Sequence, residues 1–253
     1  MNFEKKLSLM KQGGEILKII FEEIKEKTKA GISTLYLDEF SQKLFNKFQV
    51  KSAFKGYKPD FSTKPYPANI CVSLNEIIVH GIPRKNIFIK DGDIVKIDIG
   101  IIYKGLYLDA ATTIGIGHIS KEAENLILAT KQALINAINI SKEDYYIEDL
   151  GEEIEKIIEK KYNFKVIKNL CGHDIGEYLH GDLQIFNFKQ KEKKCPIKRG
   201  MIFTIEPMAS ISSNYGIQIN DFEFKTEDNS ISTHFEITLA VLGEDNIVLT
   251  NIL

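Results

Sequence analysis

The stretch DIVKIDIGIIYKGLYLDAATTIG, Asp93 to Gly115, sets Asp98 and Asp109 inside two apolar runs joined by a short turn. It reads as a β-hairpin. A carboxylate in a buried strand is costly unless a cation, a proton or several donors compensate it. A two-residue turn at Tyr103–Lys104 would put Asp98 directly opposite Asp109, on one face of the sheet. Their Cβ atoms would then lie about 5 Å apart. A bulge at Gly105 would shift that register. Two compensations stay open at this point: a metal between the carboxylates, or a proton or lysine, with Lys96 and Lys104 close in sequence.

Around the hairpin the chain alternates between helical and strand-like blocks. Apolar residues at helical spacing span residues 3 to 28, and Ser33 or Thr34 can cap a second helix carrying Leu37, Phe40, Leu44 and Phe45 on one face. KGYKPDFSTKPYPAN, rich in proline, reads as an irregular loop, and ICVSLNEIIVHGIP as strand, turn and strand. Ser120 caps a further helix running to Asn139, another covers Tyr146 to Tyr162, and the remainder from Lys165 is strand-like. Helices, strands, helices, strands predict an α+β chain of two similar halves sharing one sheet. The whole chain, 1–253, is expected to form a single domain.

Composition closes off several functions. Lys plus Arg number 33 against 35 Asp plus Glu, so no basic face for nucleic acid is expected. Cys71, Cys171 and Cys195 have no CxxC spacing, which points to a reducing compartment and away from a disulfide framework or thiolate zinc site. The first residues are amphipathic rather than signal-like, and no stretch reaches the ~20 apolar residues a bilayer span needs. A cytoplasmic protein without membrane contact is expected. The basic run KQKEKKCPIKRG reads as a solvated loop.

Three more segments carry chemistry-bearing residues in apolar surroundings. GHDIGEYLHGD holds His173 and His180 among Gly172, Gly176 and Gly181, whose lack of side chains points to close backbone approach or unusual dihedrals. MIFTIEPM sets Glu206 in an apolar strand before Pro207, which belongs at a strand end or edge. STHFEITLAV does the same for Glu236. Each residue alone has a structural explanation. Four such carboxylates with histidines in one chain are better explained by hard divalent metals such as Mn, Fe, Co or Zn. Two ions sharing bridging carboxylates need about this many ligands. HExxH, GxSxG and GxxxxGK[ST] are all absent.

The ordered set Asp98, Asp109, His173, Glu206, Glu236, with NEIIVHGIP, DIVKIDIG, GHDIG, FTIEPM and FEIT, resembles type I methionine aminopeptidase nearly end to end. The resemblance implies the pita-bread α+β fold: a curved antiparallel sheet, flanking helices and pseudo-twofold halves. It implies two divalent ions (Co, Mn, Fe or Zn), no organic cofactor, and removal of the initiator methionine from nascent chains near the ribosome by a monomer. By the same resemblance Asp98 chelates one metal, Asp109 and Glu236 bridge, and His173 and Glu206 hold the other ion. Glu206 also moves the proton, His80 contacts substrate and His180 assists at the scissile carbonyl. Tyr57, Tyr66, Cys71, Leu179 and Phe222 line the methionine pocket.

The chain departs from that pattern in places. Ile237 follows the final glutamate where many relatives have histidine, and His234 stands two residues before it. Leu179 and Phe222 replace other aromatics, and the loop between Phe54 and Tyr66 is longer than usual. These changes bear on pocket shape, not on the five ligands. Two other readings remain. One is an Xaa-Pro peptidase of the same fold, although such enzymes carry an N-terminal domain for which this chain has no room. The other is a non-catalytic pita-bread binding protein, which would have lost ligands. The short interval between His173 and Glu206 excludes the type II insertion.

Overall fold

The computed structural model describes residues 1–253. Its first helix, α1 (Phe3–Lys27), starts where the Asn2 side chain accepts from the Lys5 amide at 3.0 Å. It buries Leu7, Met10, Leu17, Ile20, Phe21 and Ile24 along one stripe. Helix α2 (Thr34–Phe48) is capped by Ser33, whose hydroxyl accepts from the Tyr36 amide, and it buries Leu37, Leu44 and Phe45. Helix α3 (Lys121–Asn139) has Ser120 as its cap. The block expected over Tyr146–Tyr162 is α4 (Ile147–Glu155), continued by a π-helical turn at Lys156–Lys161.

The hairpin strands Ile94–Tyr103 and Leu106–Gly115 pair over their full length, and Cys71–Leu74 adds to the free edge of the first. In the second half, Ile202–Ile205 pairs with Ile237–Val241, and Met208–Ser210 with Ser232–His234. One core lies beneath α1 and α2 and another beneath α3 and α4. The halves are stitched at the centre: the Glu236 amide donates to the Ala111 carbonyl at 2.9 Å. Nearby, the Thr238 hydroxyl donates to the Asp109 carbonyl at 2.8 Å. This is the pita-bread architecture, and the seam between its halves runs past both hairpin aspartates.

The hairpin register differs from expectation. The turn residues are Lys104 and Gly105, with φ of 50° and 83°. A two-residue hairpin turn that matches strand twist needs two successive positive φ values, and glycine supplies one without steric cost. Asp98 therefore opposes Ala111, and Asp109 opposes Gly100. The aspartates are diagonal rather than directly opposed. They stay on one face, because the shift equals the side-chain period of a strand.

Glu206 and Glu236 also sit differently from the continuous strands expected. Glu206 and Pro207 interrupt Ile202–Ile205 and Met208–Ser210, while Phe235 and Glu236 interrupt the strands paired to them. Proline has no amide hydrogen for a ladder, so the break falls there. Both glutamates thus occupy facing kinks, where side chains leave the regular pleat.

Candidate metal centre

The five expected ligands converge on one buried spot. Asp98, Asp109, His173, Glu206 and Glu236 are each at most 9% exposed. Ligand atoms of Asp98, Asp109 and Glu236 lie within 4.8 Å of one another, as do those of His173, Glu206 and Glu236. A third such group joins Asp109, His173 and His180. Asp109 and Glu236 are the carboxylates that recur, Asp109 on the His173 side as well as beside Asp98. That placement is what a ligand shared between two ions requires.

The local backbone explains the convergence. Gly172 lets its strand approach Thr204, whose carbonyl would lie 2.7 Å from an added Cβ. At that approach the Thr204 hydroxyl accepts from the His173 amide at 3.1 Å and stands 3.3 Å from Glu206 Oε1 as a donor. His173 Nδ1 faces the Asp174 carbonyl at 3.1 Å, which leaves Nε2 turned toward the carboxylates. Nε2 is 3.6 Å from Glu206 Oε1 and 3.9 Å from Glu236 Oε1.

No lysine compensates these charges. Lys96 Nζ donates to the Asn75 carbonyl at 2.6 Å and to the carbonyl and hydroxyl of Ser232, both at 3.2 Å. Lys104 reaches back over the Tyr103 ring at the hairpin tip. Asp98 Oδ1 and Glu236 Oε1 are buried with no hydrogen-bond partner. Orphaned carboxylate oxygens with one imidazole form a hard donor set that fits a divalent cation.

Their electrostatics without a cation are unfavourable. Burial pushes Asp98 and Glu206 up to about 7. Burial first, then the neighbouring carboxylates, holds Asp109 and Glu236 well above the ordinary range. Loss of solvent draws the imidazoles of His80, His180 and His234 below their usual value of 6.5. Above pH 6.5 those three are therefore neutral in both folded and unfolded chains. The unfolded carboxylates are then ionised, while the folded ones still hold protons. Stability of the metal-free protein accordingly falls as pH rises from 6.5 through about 7. Lys96, brought down to about 7 by burial, opposes this only above that value. Thermal melts in chelator should move downward across that window, and saturating Mn(II) should abolish the decline. A metal-free melting temperature that rises there would contradict the charge account.

The five candidate ligands line a cavity of about 380 Å³. Tyr57, Tyr66, Cys71, Leu179 and Phe222, the residues expected to line a methionine pocket, all border it, as do His80 and His180. Tyr66 and Phe222 meet edge to face at 5.2 Å. The Tyr57 hydroxyl lies 2.8 Å from His180 Nδ1. With that hydroxyl donating, the imidazole proton sits on Nε2. His80, at φ 60°, has Nδ1 facing the Phe222 carbonyl at 3.3 Å, so its Nε2 carries the lone pair. One histidine thus offers a donor and the other an acceptor.

Phe61 and His234 are among the lining residues absent from the sequence-based set. Phe61, in the longer loop, stacks on His80 at 5.7 Å with rings 13° apart. The loop length was a signal, but nothing local indicated where its tip would land. His234 lies on the cavity wall against the glutamates, and its position two residues before Glu236 was the available signal.

A pita-bread fold with five converging buried ligands beside an apolar cavity defines a divalent-metal hydrolase. The sequence pattern of metallopeptidase family M24 matches residues 8–227, and the chain belongs to that family. It is 37% identical to the methionine aminopeptidase of Aquifex aeolicus over 98% of this chain and 97% of that one. A solved methionine aminopeptidase from Thermotoga maritima superimposes with a TM-score of 0.91 at 32% identity, covering 97% of this chain and 96% of that chain. An Xaa-Pro dipeptidase from Bacillus anthracis shares the fold at a TM-score of 0.74 and 19% identity, with 98% of this chain matching 61% of that one. No helix here is long and apolar enough to cross a membrane.

Proposed function

We propose that this chain is a methionine aminopeptidase that removes the initiator methionine from nascent peptides with two divalent ions. The observation that carries the reading is the pair of ligand groups sharing Glu236, one of them containing Asp109, at the wall of a cavity that Tyr66, Leu179 and Phe222 also line. Asp98, Asp109 and Glu236 would hold one ion, and His173, Glu206 and the two shared carboxylates the other. Ions of this kind supply Lewis acidity at the scissile carbonyl and lower the pKa of the attacking water.

The chain's own groups do the rest. Tyr66, Cys71, Leu179 and Phe222 enclose an unbranched, polarisable methionine side chain. His180 donates from Nε2 to the carbonyl oxygen, where negative charge develops. His80 accepts from the amide beyond that carbonyl, fixing the peptide's direction. Glu206 takes the proton of the attacking water and delivers it to the leaving amine. The free α-amine faces the acidic end of the cavity, which favours an N-terminal residue over an internal one.

A substrate panel tests this. Protein loaded with Mn, Co or Fe should cleave Met-Ala-Ser and leave an Xaa-Pro peptide intact. Turnover confined to the Xaa-Pro peptide would overturn the methionine assignment. Silence toward both, with no metal taken up, would favour a binding protein.

A further inference from the structure

The imidazole of His234 has a place in the metal centre that the five-ligand set does not account for. Its side chain is 2% exposed, and neither ring nitrogen has a hydrogen-bond partner. Nε2 lies 3.5 Å from Glu206 Oε2 and 4.0 Å from Glu236 Oε2. His173 Nε2 stands 3.6 Å and 3.9 Å from the Oε1 atoms of the same two residues. The glutamate pair therefore lies between two imidazoles, one facing each set of oxygens.

The backbone aims the ring there. His234 pairs with Met208 across the sheet, immediately beyond the Glu206–Pro207 break. Its amide donates to the Thr113 hydroxyl at 2.9 Å, and its carbonyl accepts from that hydroxyl at 2.6 Å. Those bonds tie it to the hairpin strand that carries Asp109. A buried imidazole with no partner is expensive, and Glu206 Oε2 and Glu236 Oε2 lie within 4.0 Å of its Nε2.

We infer that His234 is a positioning residue: its Nε2–H holds the Oε2 atoms of Glu206 and Glu236, so that their Oε1 atoms stay turned toward His173 and the ions. The inference rests on the metal-centre reading and deepens it. His173 stands on the Oε1 side of the two glutamates and His234 on their Oε2 side. Removing a partner of this kind typically costs 10–100-fold in metal affinity or activity.

Mn(II) binding and Met-Ala-Ser kinetics on the parent, His234→Leu and His234→Gln separate the possibilities. His234→Leu, which keeps bulk and loses the donor, should bind Mn(II) ~10–100-fold more weakly and lose kcat more than KM. His234→Gln, with an amide donor, should recover most of that affinity. The visible spectrum of the Co(II) form should be the same for parent and His234→Gln. A parent-like Mn(II) affinity and kcat in His234→Leu would overturn the inference. So would a Co(II) spectrum altered equally in both variants, since that would make His234 a ligand. If the parent itself binds no divalent ion, the metal-centre reading fails and takes this inference with it.

Discussion

Asp109→Asn should abolish turnover and, at the same time, make the metal-free protein more stable. Asp109 belongs to two of the ligand groups, and an amide offers one oxygen where a carboxylate offers two. Losing a ligand that would be shared weakens both proposed ion sites, and a loss of at least ~10³-fold in kcat/KM is expected. The stability gain has a separate origin. Burial and the neighbouring carboxylates hold the Asp109 proton on, so folding near neutral pH requires a protonation that the unfolded chain does not make. That cost grows with pH above the unfolded value for as long as the folded group stays protonated. Asparagine removes the cost. Melting in chelator at pH 7 should therefore rise by several degrees, and the gain should vanish toward pH 4. A variant that turns over normally, or that is destabilised without metal at pH 7, would show that Asp109 has been given the wrong role.

Glu206→Gln separates proton transfer from metal binding. The amide keeps an oxygen on the His173 side, where Thr204 already donates to Glu206 Oε1. It has no site to accept a proton from water. Measured with Mn(II) at saturation, which offsets the weaker hold of an amide ligand, kcat should fall ~10²–10⁴-fold, the range associated with general acid–base catalysis. KM for Met-Ala-Ser should change little, because the apolar lining of Tyr66, Leu179 and Phe222 is untouched. Normal kcat in a metal-loaded Glu206→Gln enzyme would move the proton-transfer role elsewhere.

Much of this architecture was legible in local sequence. Apolar stripes placed α1 and α2, and serine caps marked the starts of α2 and α3, because capping and periodicity act within a few residues. The hairpin was legible, but its turn was one residue off, since Gly105 rather than Tyr103 can take the positive φ cheaply. Lys96 was a fair candidate partner for Asp98 by proximity along the strand. Its ammonium instead reaches oxygens of Asn75 and Ser232, and the latter lies far along the chain. Glu206 and Glu236 read as intrastrand because their flanks are apolar. Only the pairing of two distant strands turns both into facing kinks. Phe61 and His234 depended on a loop path and a register that no local signal fixes. The five buried candidate ligands stand out as a set because each violates the burial pattern around it, whereas an aromatic at a pocket rim violates nothing.

The central claim is that divalent ions compensate the buried carboxylates. Titrating Mn(II) into metal-free protein at pH 6.5, in buffers of different ionisation enthalpy, counts ions bound and protons released together. The account predicts saturation at two ions, net proton release as the held carboxylates ionise, and Met-Ala-Ser turnover that rises with occupancy. Failure to bind a divalent ion, or binding that releases no protons, would contradict it.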